Sequence, residues 1–132
     1  MRKIFGHRGL PQIYIENTIK SLNKALEICD FVETDIRITK DEQLIFYHDP
    51  TIKNKKIEEL TLSEIKTFID IDISEIHFVS RDQIKGRANF ELKVNNDENE
   101  LNKIFINKVT NLTKQDDIIS VSYTHLRAHE TY

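Results

Sequence analysis

A single cysteine, Cys29, in 132 residues excludes an intramolecular disulfide and any zinc site built from several thiolates. It closes an apolar helical pattern, so it is expected to be a small core residue. Long apolar runs are also missing. No stretch approaches the ~20 residues of a membrane-spanning helix. The basic start Met1-Arg2-Lys3 runs into Gly6-His7-Arg8-Gly9 instead of the apolar segment of a secretory signal. A soluble cytoplasmic chain is the default expectation. Neither sign of charge dominates: 19 Lys and Arg are interspersed with 22 Asp and Glu, a formal net charge of −3. A protein that coats nucleic acid would need a basic face, which this composition does not provide. Repeats and low-complexity segments are absent, as are the motifs of nucleophilic-serine enzymes and phosphate-binding loops.

What is present is an alternation of strand-like and helix-like segments. Lys3-Ile4-Phe5 reads as a strand ending at Gly6. From Glu16 to Cys29 the apolar positions Ile19, Leu22, Leu26 and Cys29 repeat at helical spacing, with Ala25 widening the face and Asn17 or Thr18 as N-cap. Phe31 to Ile38 alternates with period two, setting Val32, Thr34, Ile36 and Ile38 against Glu33, Asp35 and Arg37. Gln43 to Tyr47 reads as a third strand stopped by Pro50, and Lys53 to Lys56 as a polar loop. Thr61 and Glu64 have the spacing of a capping box, flanked by Leu60 and Ile65 as a hydrophobic staple, opening a helix that runs to about Ile69. Asp70 to Gly86 shows no clean period. Asn89 to Val94 is a fourth strand, with Phe90, Leu92 and Val94 opposite Glu91 and Lys93. Asp97 and Glu100 resemble a second cap ahead of an amphipathic helix through Leu101, Ile104, Phe105, Lys108, Val109 and Leu112. Ile118 begins a fifth strand.

Strands alternating with helices predict parallel βαβ units in an α/β fold. Charged residues on one face of the strands, or at their C-terminal ends, favour a TIM-type (β/α) barrel, whose upper lumen holds the active site. A complete barrel takes ~250 residues, so this chain accounts for about the first half.

Five short pieces carry chemistry: His7-Arg8-Gly9, Glu16-Asn17-Thr18, Glu33-Thr34-Asp35, His48-Asp49 and Glu91-Leu92-Lys93. Glu33 and Asp35, two apart on one strand, point the same way, and Glu91 lies on a later strand. Three converging carboxylates suit a hard divalent cation such as Mg²⁺ or Ca²⁺. His7 and His48 each follow a strand and have the chemistry of an acid/base pair. Arg8 suits bidentate phosphate binding, and Lys93 supplies a point charge beside the carboxylates. Glu16 reads better as first-turn charge complementing a helix N-terminus than as an active-site group. His77, His125 and His129 have no assigned role.

In this order the five pieces resemble the glycerophosphodiester phosphodiesterase family, whose pattern is His-Arg-Gly, Pro-Glu-Asn-Thr, Glu-x-Asp, His-Asp and Glu-(Leu/Ile)-Lys. Ile15 stands where that family has proline, and the resemblance covers about residues 3 to 120. It implies a barrel in which Glu33, Asp35 and Glu91 bind Ca²⁺ or Mg²⁺, His7 and His48 are the general acid and base, and Arg8 helps hold the phosphate. The implied reaction hydrolyses glycerophosphodiesters to glycerol 3-phosphate and an alcohol through a cyclic phosphate, with the metal stabilising developing charge. The small-molecule diester is then the expected partner, with no nucleic acid and no membrane span. The stretch from His48 to Glu91 is shorter than the family's and lacks its Pro-x-Leu-x-Glu element. Residues 1–120 are expected to form an incomplete domain of this family. Residues 121–132 are expected to be a non-native tail, since Val121 to Thr131 resembles a translated sequencing adapter. The alternatives are a barrel phospholipase releasing a cyclic phosphate, or an inactive fragment that at most binds phosphate or metal.

Overall fold

The computed structural model describes residues 5–7, 17–95 and 99–124, with backbone alone for residues 5–7, 95 and 124. The elements in chain order are β1 (Phe5–His7), α1 (Ile19–Ala25), β2 (Phe31–Ile38), β3 (Leu44–Phe46), β4 (Thr51–Ile52), β5 (Lys55–Lys56), α2 (Leu62–Phe68), β6 (Arg87–Asn95), α3 (Glu100–Leu112) and β7 (Ile118–Thr124). The fold is mixed α/β around a mostly parallel sheet in the order β1-β2-β6-β7, with β3 added to β2.

The period-two pattern of β2 sets the layers. Val32, Thr34 and Ile36 are fully buried, and Ile38 is nearly so. Val32, Ile36 and Ile38 share one core with Ala88, Phe90, Leu92 and Val94 of β6, Leu22 and Ala25 of α1, and Phe105 and Val109 of α3. Phe78 stacks between Phe46 and Phe90, with ring centroids 4.9 and 5.4 Å away. Helices α1 and α3 therefore cover one face of the sheet, and the alternate residues of β2 and β6 are left to the other.

On the edge of β2 away from β6, two strands share the length. β1 pairs in parallel with Phe31, Val32 and Glu33, while β3 pairs antiparallel with Ile36, Arg37 and Ile38. The antiparallel β3 departs from the all-parallel expectation. Only Thr39 to Gln43 link it to β2, far short of the dozen or more residues that a parallel crossover requires. Thr39 N–H donates to the Gln43 carbonyl at 2.9 Å, and Glu42 takes a left-handed φ of 62° to close the turn.

Other differences have local causes. Helix α1 stops at Ala25 because Leu26 caps it and the chain turns toward β2, which leaves Cys29 half-buried instead of in the core. Thr18 is its N-cap, its hydroxyl oxygen accepting from Ser21 N–H at 3.2 Å. The expected polar loop at Lys53 to Lys56 is part of a β4–β5 hairpin. Lys53 and Asn54 both have positive φ, the conformation that a tight hairpin turn needs. Asp70 to Gly86 forms two 3₁₀ turns, Ile73–Glu75 and Arg81–Gln83. Helix α3 is capped by Asn99, whose side chain accepts from Asn102 N–H at 2.9 Å; Asp97 lies outside the described residues. The Thr61–Glu64 capping box is present in both directions. Leu60 and Ile65 are buried together in a second cluster with Ile45, Ile52, Ile57 and Ile76. Strand β7 continues past Ser120 to Thr124, paired with Lys93, Val94 and Asn95 at its far end.

At the opposite end of the sheet, Arg81 ties the second 3₁₀ turn to the start of β7. Its guanidinium donates twice to Asp117, at 2.7 Å each, and to the carbonyls of Ile84 and Gly86. Burial pushes the Asp117 carboxyl upward, but the Arg81 and Lys114 hydrogen bonds outweigh it and hold the group below its usual 3.8. A depressed carboxyl stabilises the fold above its unfolded value and loses that contribution as pH falls through the folded one. Asp117→Asn should therefore cost about 3 kcal/mol at neutral pH, because it leaves a buried guanidinium uncompensated. Urea midpoints should show that gap narrowing below about pH 4; a gap of constant size down to pH 3 would refute the assignment.

Candidate active site

The face of the sheet opposite the helices collects the charges. The β2–β6 register sets Asp35 beside Glu91, and β6–β7 sets Glu91 beside Ser120. Lys93 closes the group, its Nζ 3.2 Å from Glu91 Oε2 and 3.8 Å from Asp35 Oδ1. Asp35 is almost wholly buried, whereas Glu91 and Lys93 are partly exposed. Glu33 is on the same face, one repeat nearer the start of β2 and opposite Asn89. Strand geometry separates it from Asp35 by roughly 6.6 Å along the chain. Among the described residues, no three His, Cys, Asp or Glu side chains are gathered closely enough to hold a metal ion as they stand. Of the three expected carboxylate ligands, the structure thus brings two together and leaves the third one rung away.

Two further features bear on a cation. An ammonium group already lies between two carboxylates, so the pair demands positive charge. One rung below, the buried Asn89 Oδ1 has no hydrogen-bond partner, the single such side-chain atom among the described residues. A hard oxygen-seeking cation fits this donor set.

His48 follows β3, with Nδ1 3.0 Å from Asp49 Oδ1 and a half-buried ring. Its carbonyl accepts from both Nε, at 3.1 Å, and Nη2 of Arg37. Arg37 lies two residues beyond Asp35 on the charged face and is 3% exposed. Burial lowers its pKa, opposed by the carboxylates of Glu58, Asp35, Asp49 and Glu91. The sequence placed Arg37 on this face but gave it no task. Its period-two relation to Asp35 was the available signal, and its attachment to the His48 loop was not.

Asn17 also exceeds its expected place as a possible helix cap. It is buried, with a left-handed φ of 58°. Its side chain donates to Asp35 Oδ2 at 3.1 Å and accepts from the Thr34 hydroxyl at 2.8 Å and from Asp35 N–H at 3.3 Å. His7 is aligned with Glu33 through its backbone, placing it at the end of β1 next to the charged strand. Its side chain, and the whole of Arg8 and Glu16, lie outside the described residues. No helix among the described residues is long and apolar enough to cross a membrane.

Residues 7–121 match the model of the glycerophosphoryl diester phosphodiesterase family. Among curated relatives, a glycerophosphodiester phosphodiesterase of Caldanaerobacter subterraneus is 35% identical over 69 residues, covering 48% of this chain and 28% of its own. Human lysophospholipase D GDPD1 is 31% identical over 134 aligned positions, covering 87% of this chain and 42% of its own. The crystal structure of a glycerophosphodiester phosphodiesterase from Parabacteroides distasonis superposes with a TM-score of 0.69 at 26% identity, covering 94% of this chain and 57% of that one. The chain thus spans less than half the length of these curated relatives and somewhat more than half of the solved structure. With a match over nearly its whole length, the chain belongs to the glycerophosphoryl diester phosphodiesterase family.

Proposed function

We propose that the described sheet is the first half of a (β/α) barrel and that the whole barrel hydrolyses glycerophosphodiesters to glycerol 3-phosphate and an alcohol. The observation that carries this reading is the group Asp35–Glu91–Lys93, placed by strand register on the face that the helices leave open. Glu33, Asp35 and Glu91 would hold Ca²⁺ or Mg²⁺, which when bound supplies charge stabilisation at the phosphate oxygens. Lys93, together with Arg8, presents positive charge to the phosphodiester. His48, whose carbonyl is held by Arg37, would move a proton between the reacting oxygens and solvent, with His7 at the end of β1 as its counterpart. Asp49 beside Nδ1 orients the His48 ring. A whole barrel carrying this half should release glycerol 3-phosphate from glycerophosphocholine and lose that activity in EDTA. Turnover unaffected by EDTA would remove the metal from the reading; absence of turnover on every glycerophosphodiester would remove the reaction.

The cation preference can be tested on this chain directly. Lys93→Met leaves Asp35 and Glu91 facing one another without their ammonium neighbour, which should lower stability by about 1 kcal/mol in metal-free buffer. Millimolar CaCl₂ or MgCl₂ should raise the variant's melting temperature more than the parent's, because Lys93 no longer competes for the two carboxylates. Equal shifts in both proteins would argue against a shared cation site.

A second reading, that this chain is catalytically silent by itself, has its own observation. Strand β7 is paired on one side only among the described residues, and Ile118, Ile119, Val121 and Tyr123 are all exposed. An uncharged edge strand with apolar residues on both faces is prone to pair with another chain. Sedimentation velocity should find the 132-residue protein self-associated and its diesterase activity at background; a monodisperse, active monomer would contradict this.

A further inference from the structure

Strand β2 changes neighbours along one edge. β1 covers Phe31 to Glu33 and β3 covers Ile36 to Ile38, so among the described residues no strand pairs with that edge at Thr34 and Asp35. Asn17 fills this gap. Residues that alternate along a strand direct their N–H and C=O groups to the same edge, and Asp35 directs both of its groups here. Its carbonyl accepts from Tyr47 N–H at 3.0 Å, and its N–H is met by Asn17 Oδ1. The orientation of the Asn17 amide follows from the network. Two donors, Asp35 N–H and the Thr34 hydroxyl, converge on Oδ1, which leaves Nδ2 to donate to Asp35 Oδ2. The other carboxylate oxygen, Oδ1, is the one facing Lys93.

We propose that Asn17 is the positioning residue of the cation site: it ties down Asp35 Oδ2, so that Asp35 presents Oδ1 alone toward Glu91 and Lys93. This rests on the metal reading given above. Three features carry it. The amide is buried, and all three of its hydrogen bonds end on Thr34 or Asp35. Its backbone takes a left-handed conformation, which asparagine tolerates better than most residues and which brings the side chain into the sheet edge. A carboxylate fixed by a neutral donor on one oxygen keeps its charge for a ligand on the other, which is how outer partners commonly orient metal ligands.

The test uses Mn²⁺ as the probe, titrated into the 132-residue chain with free Mn²⁺ followed by electron paramagnetic resonance. Asn17→Gly removes the amide while accommodating the positive φ. It should weaken Mn²⁺ binding about tenfold or more, with circular dichroism reporting an unchanged fold. Thr34→Val leaves residue 17 in place and removes only the hydroxyl that holds its Oδ1; it should give a smaller loss of affinity and keeps the test usable should the glycine variant not fold. A purely structural role would lower the melting temperature and leave the affinity of the folded protein untouched. Parental affinity in whichever of the two variants folds would overturn the proposal alone. A parent chain that binds no Mn²⁺ would overturn it together with the metal reading.

Discussion

Burial of the even-numbered residues of β2 and β6 against α1 and α3 is the constraint on which the rest depends. Val32, Thr34, Ile36 and Ile38 face the same core as Ala88, Phe90, Leu92 and Val94. Because a strand has period two, this burial sends Glu33, Asp35, Arg37, Asn89, Glu91 and Lys93 to the other face. A slip of one residue in either strand would exchange the faces and drive carboxylates into an aliphatic core, where unpaired charge costs several kcal/mol. The register Asp35 opposite Glu91 is therefore fixed by aliphatic packing on the far side of the sheet, not by any attraction between the two acids, which repel one another.

The same dependence reaches the upper end of the site by a longer route. Ile45, Ile52, Ile57, Leu60, Ile65 and Ile76 form a second apolar cluster around helix α2, and this segment is joined to the main sheet through Phe46 N–H on the Ile76 carbonyl, beside Phe78 N–H on the Leu44 carbonyl. β3 is the hinge between the two clusters: Leu44 and Phe46 belong to the main core, while Ile45 belongs to the second. The His48 loop leaves directly from β3, so its position is set from both sides. Arg37 adds a third hold by gripping the His48 carbonyl from the charged face of β2.

Legibility in the sequence followed the range of the interaction. The bounds of β2, the Thr61–Glu64 box and the buried face of α3 were all readable, since each rests on residues within a few positions of one another. The direction of β3 was decided by the shortness of the Thr39 to Gln43 link, a feature that strand propensity does not register. Asn17 to Asp35 spans 18 positions and Arg81 to Asp117 spans 36, and nothing local marks either pair. Glu33, Asp35 and Glu91 were recognisable as a set from the motif order, but their spacing was not: strand pleat leaves Glu33 a rung below the other two. The β4–β5 hairpin was hidden because Lys53 is a poor advertisement for positive φ, although Asn54 beside it is a good one.

Under the function proposed above, charge balance among the described residues favours a cation on this face. Glu33, Asp35 and Glu91 lie on it, and Asp49 and Glu58 act on Arg37 from nearby. Against these five carboxylates the described residues set Arg37 and Lys93. Arg37 is buried and committed to the His48 carbonyl, and Lys93 is drawn to Glu91 and Asp35. A phosphodiester is an anion, and at a few ångströms a carboxylate opposes it by kilocalories in a partly buried setting. On the reading proposed above, a divalent cation between Asp35 and Glu91 would offset most of that excess and would release Lys93 from the carboxylates that now hold it. Lys93, which lies between the two acids here, would then be free to face a phosphate, so one ammonium group would serve the folded chain and the loaded site in turn.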